Sequence, residues 1–109
     1  MASNRVNVSL NRRLGAYIGR SREVLKQESD TIELHGIGQA VVKCIRIADM
    51  LSELQYANIG SFKTMLLEEP GEGDRVIRKP KVIISMIKAP TFEDAYSKYE
   101  ELQKAREEE

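Results

Sequence analysis

Residues 32–51 read IELHGIGQAVVKCIRIADML, a β-branched run that enters a Gly-x-Gly turn and leaves it as an amphipathic helix. Gly36 and Gly38 open that helix. Backbone N–H groups without intrahelical partners point outward there and carry a partial positive charge. Such an end suits a phosphate or another anion, and Lys43 stands one turn further in. Strand, glycine turn and helix in direct succession set the class as α/β.

Towards the N-terminus, Val6, Val8 and Leu10 alternate with Asn7 and Ser9, the period of a half-buried strand. Asn11 is placed to cap a helix over residues 14–27, with Leu14, Tyr17, Ile18, Val24 and Leu25 on its apolar stripe. Arg13, Arg20, Arg22 and Lys26 fall away from that stripe. A second strand is expected over 31–35 and a second helix over 38–56. Val41, Cys44, Ile45, Ala48 and Leu51 form the stripe of that helix, and Ile47, Met50 and Leu54 widen it. The breadth exceeds what one small sheet covers, so part of it is expected to meet a second subunit.

Strands follow at 61–68 and 81–88, and the run Val82-Ile83-Ile84 predicts a central position for the latter. Residues 69–80 hold two prolines and two glycines, which predicts a long, mobile hairpin connection. Its returning limb carries Arg75, Arg78 and Lys79. Thr91 is placed to cap a last helix with Glu93 and Asp94 in its first turn, and Phe92, Tyr96, Tyr99 and Leu102 on one side. The expected architecture is a two-layer α/β sandwich, β-α-β-α-β-β, with a four-stranded mixed sheet, a long β-hairpin arm and an extra C-terminal helix. Residues 1–90 make the body and 91–109 the acidic helix.

Composition narrows the chemistry. The chain has 109 residues, enough for one domain with a modest core. Formal charge is zero, yet residues 1–27 carry six bases against one acid, and residues 91–109 carry three bases against seven acids. A basic body with an acidic tail is therefore expected. One histidine and one cysteine exclude a His-rich or thiolate metal site. Cys44 reads as a small core residue of a protein in a reducing compartment. Val41 stands where a dinucleotide fingerprint needs its third glycine, and no phosphate-loop pattern occurs. The expectation is a non-enzyme with no cofactor, no metal and no small-molecule substrate. No apolar segment nears the ~20 residues that span a bilayer, so no membrane partner and a soluble, intracellular protein are expected.

Binding to a polyanion remains. Arg12 and Arg13 lie in the turn between first strand and first helix. Parallel neighbouring strands end on one side, so this turn shares a sheet edge with the Gly36–Gly38 turn. Arg12, Arg13, the amides of Gly38 and Gln39, and Lys43 would form one cationic patch for phosphate oxygens. A two-stranded arm bearing Arg75, Arg78 and Lys79 can follow a backbone or enter a minor groove. Tyr17 fits the helix core, whereas Phe62 is open to a role in core, interface or base stacking.

In these features the chain resembles the Alba family of nucleic-acid-binding proteins, in its eukaryotic form, over roughly residues 4–89. Family members carry a lysine pair after the first strand, matched by Arg12-Arg13. Their Gly-x-Ala-Ile-x-Lys-Ala-Val motif is matched by Gly38-Gln39-Ala40-Val41-Val42-Lys43-Cys44-Ile45. A cationic hairpin follows, matched by the limb with Arg75, Arg78 and Lys79. Ile37 and Gln39 stand where archaeal members often carry arginines, which lowers the charge expected of the patch. The resemblance implies a homodimer, or a heterodimer with a related subunit, that binds DNA, RNA or both with little sequence preference.

The resulting expectation is a nucleic-acid binder that contacts phosphates and favours RNA over DNA, in ribonucleoprotein organisation or translational control. Its place would be cytoplasmic, nuclear or both. The alternative is a structural subunit of a ribonucleoprotein or chromatin complex that works through protein contacts.

Overall fold

The computed structural model describes residues 4–108. The outer ends of the two expected units, residues 1–3 and Glu109, lie outside the described residues. Along the chain run β1 (Arg5–Val8), α1 (Leu14–Gln27), β2 (Thr31–Ile37), α2 (Ala40–Glu53), β3 (Ala57–Pro70), β4 (Val76–Lys88) and α3 (Phe92–Glu107). The sheet order is β1-β2-β4-β3. β1 and β2 are parallel, as the helical crossover α1 requires. β4 runs antiparallel to both β2 and β3 and is central, as its unbroken apolar run predicts.

The core lies between sheet and helices. Val6, Val8, Ile32, Leu34, Val82, Ile84 and Met86 project from the sheet against Val24, Leu25, Cys44, Ile47, Ala48 and Leu51. Each large aliphatic side chain so covered contributes about 1.5–3 kcal/mol. Gly36 lets α2 approach β2: a Cβ there would stand 2.9 Å from the Ala40 carbonyl oxygen and 3.0 Å from the Cys44 Cβ. Burial raises the Cys44 thiol to about 11, so it stays protonated at neutral pH.

The structure revises several expectations. Leu10, expected on the buried face of the first strand, is exposed. β1 stops at Val8 because Tyr17 takes hold of the next residue: the Ser9 N–H donates to Tyr17 Oη at 2.8 Å, and that hydroxyl donates to the Ser9 carbonyl at 3.2 Å. Asn11 does not cap α1; Arg13 holds the N-cap position, without a side-chain cap. Thr91 is the N-cap of α3, but its hydroxyl donates to the Gln55 carbonyl at 3.0 Å instead of capping. On α2 the buried stripe is Ala40, Cys44, Ile47, Ala48 and Leu51. Ile45, expected within it, is exposed, and so is Leu54.

The largest revision concerns residues 69–80. They are not a long mobile connection. β3 and β4 stay paired out to Pro70 opposite Val76, and Pro80 sits in the ladder opposite Leu66. Only residues 71–75 form the turn. The resulting ribbon projects from the body and gives a molecule 60 Å long and 27–30 Å across.

α3 packs on α1. Lys26 Nζ lies 2.8 Å from Glu93 Oε2, the Tyr96 hydroxyl donates to Glu23, and the Arg22 guanidinium stacks 3.5 Å from the Tyr99 ring centroid. Phe92 anchors the helix in the core beside Tyr56. Among the described residues no helix is long and apolar enough to cross a membrane.

Candidate nucleic-acid interface

The site follows from the parallel pair. Val8 lies opposite Gly36, so β1 and β2 deliver their carboxyl ends, and the turns after them, to one edge. The first turn carries Arg12 and Arg13, both exposed and without an ion-pair partner among the described residues. The second turn is Gly38-Gln39. Gly38 has φ +61°, a left-handed conformation that suits glycine.

Lys43 joins the two turns. Its ammonium donates to the Ser9 carbonyl at 3.0 Å and to the Arg12 carbonyl. It also lies 5.4 Å from the centre of the Tyr17 ring. Burial pushes the Tyr17 phenol up, but the Ser9 hydrogen bonds and the charges of Lys43 and Arg12 outweigh it, leaving the phenol below its ordinary value. Local charge at this edge is therefore positive.

The structure thus places the turn of Arg12 and Arg13 at the same sheet edge as Gly38 and Gln39, with Lys43 joined to the backbone of Arg12. Two roles change. The Gly38 N–H, expected to face an anion, donates to the Pro80 carbonyl at 2.8 Å and ties the glycine turn to the base of the arm. Gln39 remains exposed at the N-cap of α2. Lys43 spends two of its donors on backbone carbonyls, so it is first a brace that sets the position of Arg12.

Arg75, Arg78 and Lys79 lie along the arm, with Lys79 next to the Pro80 whose carbonyl the Gly38 turn engages. Arg78 Nε is 3.3 Å from Glu68 Oε1, and Lys79 Nζ is 3.3 Å from Glu69 Oε2. Glu68 pairs directly across the ladder with Arg78. Residues 66–80 carry three bases but four acids, Glu68, Glu69, Glu72 and Asp74. The arm's bases are outnumbered by its acids, and Met65, Leu66, Val76 and Ile77 are exposed along it. Exposed pairs of this kind are worth about 0.2–1 kcal/mol, enough to compete with a weak phosphate contact.

Sequence reasoning assigned Tyr17 to the core alone. It is buried, yet its hydroxyl shapes the turn that presents Arg12, and a phenol on a core stripe beside a strand end is the signal for that task. A second surface lies across α2 and β3. Val42, Ile45, Ile59 and Phe62 are exposed there; Ile45, Ile59 and Phe62 line a shallow groove with Arg46, Asp49 and Ser52. Phe62 is neither core nor near the cationic edge.

Comparison with known proteins agrees with this architecture. The Alba family model matches residues 4–65, more than half of the chain, and stops short of the outer arm and α3. The fold of ALBA1 from Trypanosoma brucei superposes with a TM-score of 0.82 at 17% identity, covering 98% of this chain and 88% of that one. Alba from Thermoplasma volcanium gives 0.68 at 12% identity, covering 77% of this chain and 99% of that one. No curated protein matches in sequence.

Proposed function

Because the chain belongs to the Alba family, whose members are generally nucleic-acid binders and not enzymes, we propose that it binds RNA in preference to DNA, as a dimer, through phosphates and with little sequence preference. The observation that carries this reading is the Lys43 bridge to Ser9 and Arg12. It holds the turn of two arginines, which have no ion-pair partner among the described residues, at the sheet edge that carries the Gly38-Gln39 turn. Backbone contacts of that kind position a nucleic acid without reading its bases. Arg12 and Arg13 grip the phosphates, Gln39 extends the patch, and Lys43 and Gly38 set its shape. Arg78 and Lys79 join only when a phosphate displaces Glu68 and Glu69, whereas Arg75, at the turn, is held by neither glutamate.

A duplex with one charge per ~1.7 Å rewards a denser cationic surface than this one, which supports RNA single strands as the better ligand. The exposed apolar face over α2 and β3 supports a two-fold dimer, homomeric or with a related subunit. Work in ribonucleoprotein organisation or translational control, in cytoplasm or nucleus, fits these properties.

Titration of a single-stranded RNA of random sequence at low salt tests the proposal. Binding is expected, with log K falling against log salt by about 0.7 for each phosphate contacted. The same face and the balanced arm favour a second reading, a subunit that assembles through protein contacts. On that reading the isolated chain binds no RNA under these conditions.

A further inference from the structure

Beside the turn that carries Arg12, phosphate binding leaves a cleft unused. It has a volume of about 410 Å³ and is lined by Arg5, Asn7, Leu10, His35, Ile37 and Lys81 together with Ser9. It runs along β1 to the carboxyl end of β2. Carbon dominates its lining. A phosphate gains little in such a place, whereas a flat ring with a polar edge is well suited to it.

His35 supplies the polar element. It is only 8% exposed, and its Nδ1 has no hydrogen-bond partner among the described residues. Nε2 lies 3.3 Å from Glu33 Oε1. A carboxylate partner calls for the proton on Nε2, so in the neutral ring Nδ1 is an acceptor. A buried acceptor without a donor is destabilising, and a donor that enters the cleft and displaces the side chains covering Nδ1 relieves it. Asn7 and Lys81 offer donors at the rim.

We propose that this cleft takes one unstacked base of a single-stranded RNA whose backbone lies on Arg12 and Arg13, a base N–H donating to His35 Nδ1. The inference rests on the RNA-binding reading above. Ser9 links the two surfaces, since it lines the cleft and accepts from Lys43 in the adjoining turn. A strand held on that turn passes the mouth of the cleft. Bases in a duplex are paired and stacked, so only an unpaired one can enter.

His35→Leu tests it, with affinity measured for a single-stranded RNA and for the same sequence as a duplex. Loss of one base contact is expected to weaken the single strand by about tenfold, in line with a stacked base. Duplex affinity and the salt slope stay as in the wild type. Equal loss on both forms, or no loss in a folded variant, overturns the proposal. Should His35→Leu fail to fold, photo-crosslinking of the wild-type chain to RNA containing 4-thiouridine decides: adducts at Arg5, Asn7, His35, Ile37 or Lys81 support it, and adducts confined to residues outside the cleft overturn it. A wild-type chain that binds no RNA instead defeats the parent reading, and the base site falls with it.

Discussion

Lys43 reaches back across 34 residues of sequence to donate its ammonium to the carbonyl of Ser9, 3.0 Å away. A residue one turn into α2 thereby braces the turn before α1 that carries Arg12 and Arg13. The cationic edge is built by this contact, not merely decorated by nearby charges.

Replacing Lys43 with methionine keeps the apolar stem and removes both donations. Stability should fall by about 1 kcal/mol, lowering the melting temperature by roughly 4 °C for a domain of this size. Hydrogen exchange of the amides at residues 9–13 should quicken. Unchanged exchange there would show that the turn holds itself.

The arm offers a test of opposite sign. Glu68→Gln with Glu69→Gln frees Arg78 and Lys79 from their 3.3 Å partners. RNA affinity should rise, and the salt slope should steepen by about 0.7 for each cation released. Alanine at Arg78 and Lys79 should cost less than alanine at Arg12 and Arg13. Equal losses would mean that the ion pairs do not restrain the arm.

Phe62 is 50% exposed on the face shared by α2 and β3. Phe62→Glu should leave the protomer folded by circular dichroism and yield a monomer in sedimentation. A wild-type chain that already sediments as a monomer at working concentration would refute the dimer.

Much of this could be read from hydrophobic spacing. Leu14, Tyr17, Ile18, Val24 and Leu25 set both ends of α1, and Val82-Ile83-Ile84 placed β4 at the sheet's centre. Parallel strands ending together foretold that the turn of Arg12 and the Gly38 turn share one sheet edge. Where the pattern failed, hydrogen bonds decided instead. β3 buries Ala57 and leaves nearly every residue beyond it exposed, so its length rests on ladder bonds to β4 that leave no apolar trace. The partners of Arg78 and Lys79 depend on hairpin register, which composition does not reveal. Leu10 left the sheet because Tyr17 captured Ser9.

Acid should loosen α3. The hydrogen bond from Lys26, chief among its causes, holds Glu93 below the ordinary carboxylate value of 4.5. A lowered folded value gives stability that is complete above the unfolded value and lost as pH falls through the folded one. The same bond raises Lys26 above its ordinary 10.5, so its share is complete below that value and lost at higher pH. Thermal melts from neutral pH into the carboxylate range should show a smaller decline for Glu93→Gln than for the wild type. Identical declines would remove this pair from the docking of α3.

The salt dependence of RNA binding by Arg12→Ala combined with Arg13→Ala tests the cationic edge most directly. The double variant should bind unrelated single-stranded sequences more weakly by similar factors, with a slope shallower by about 1.4, two contacts' worth. A folded double variant that keeps both the affinity and the slope of the wild type would contradict the account.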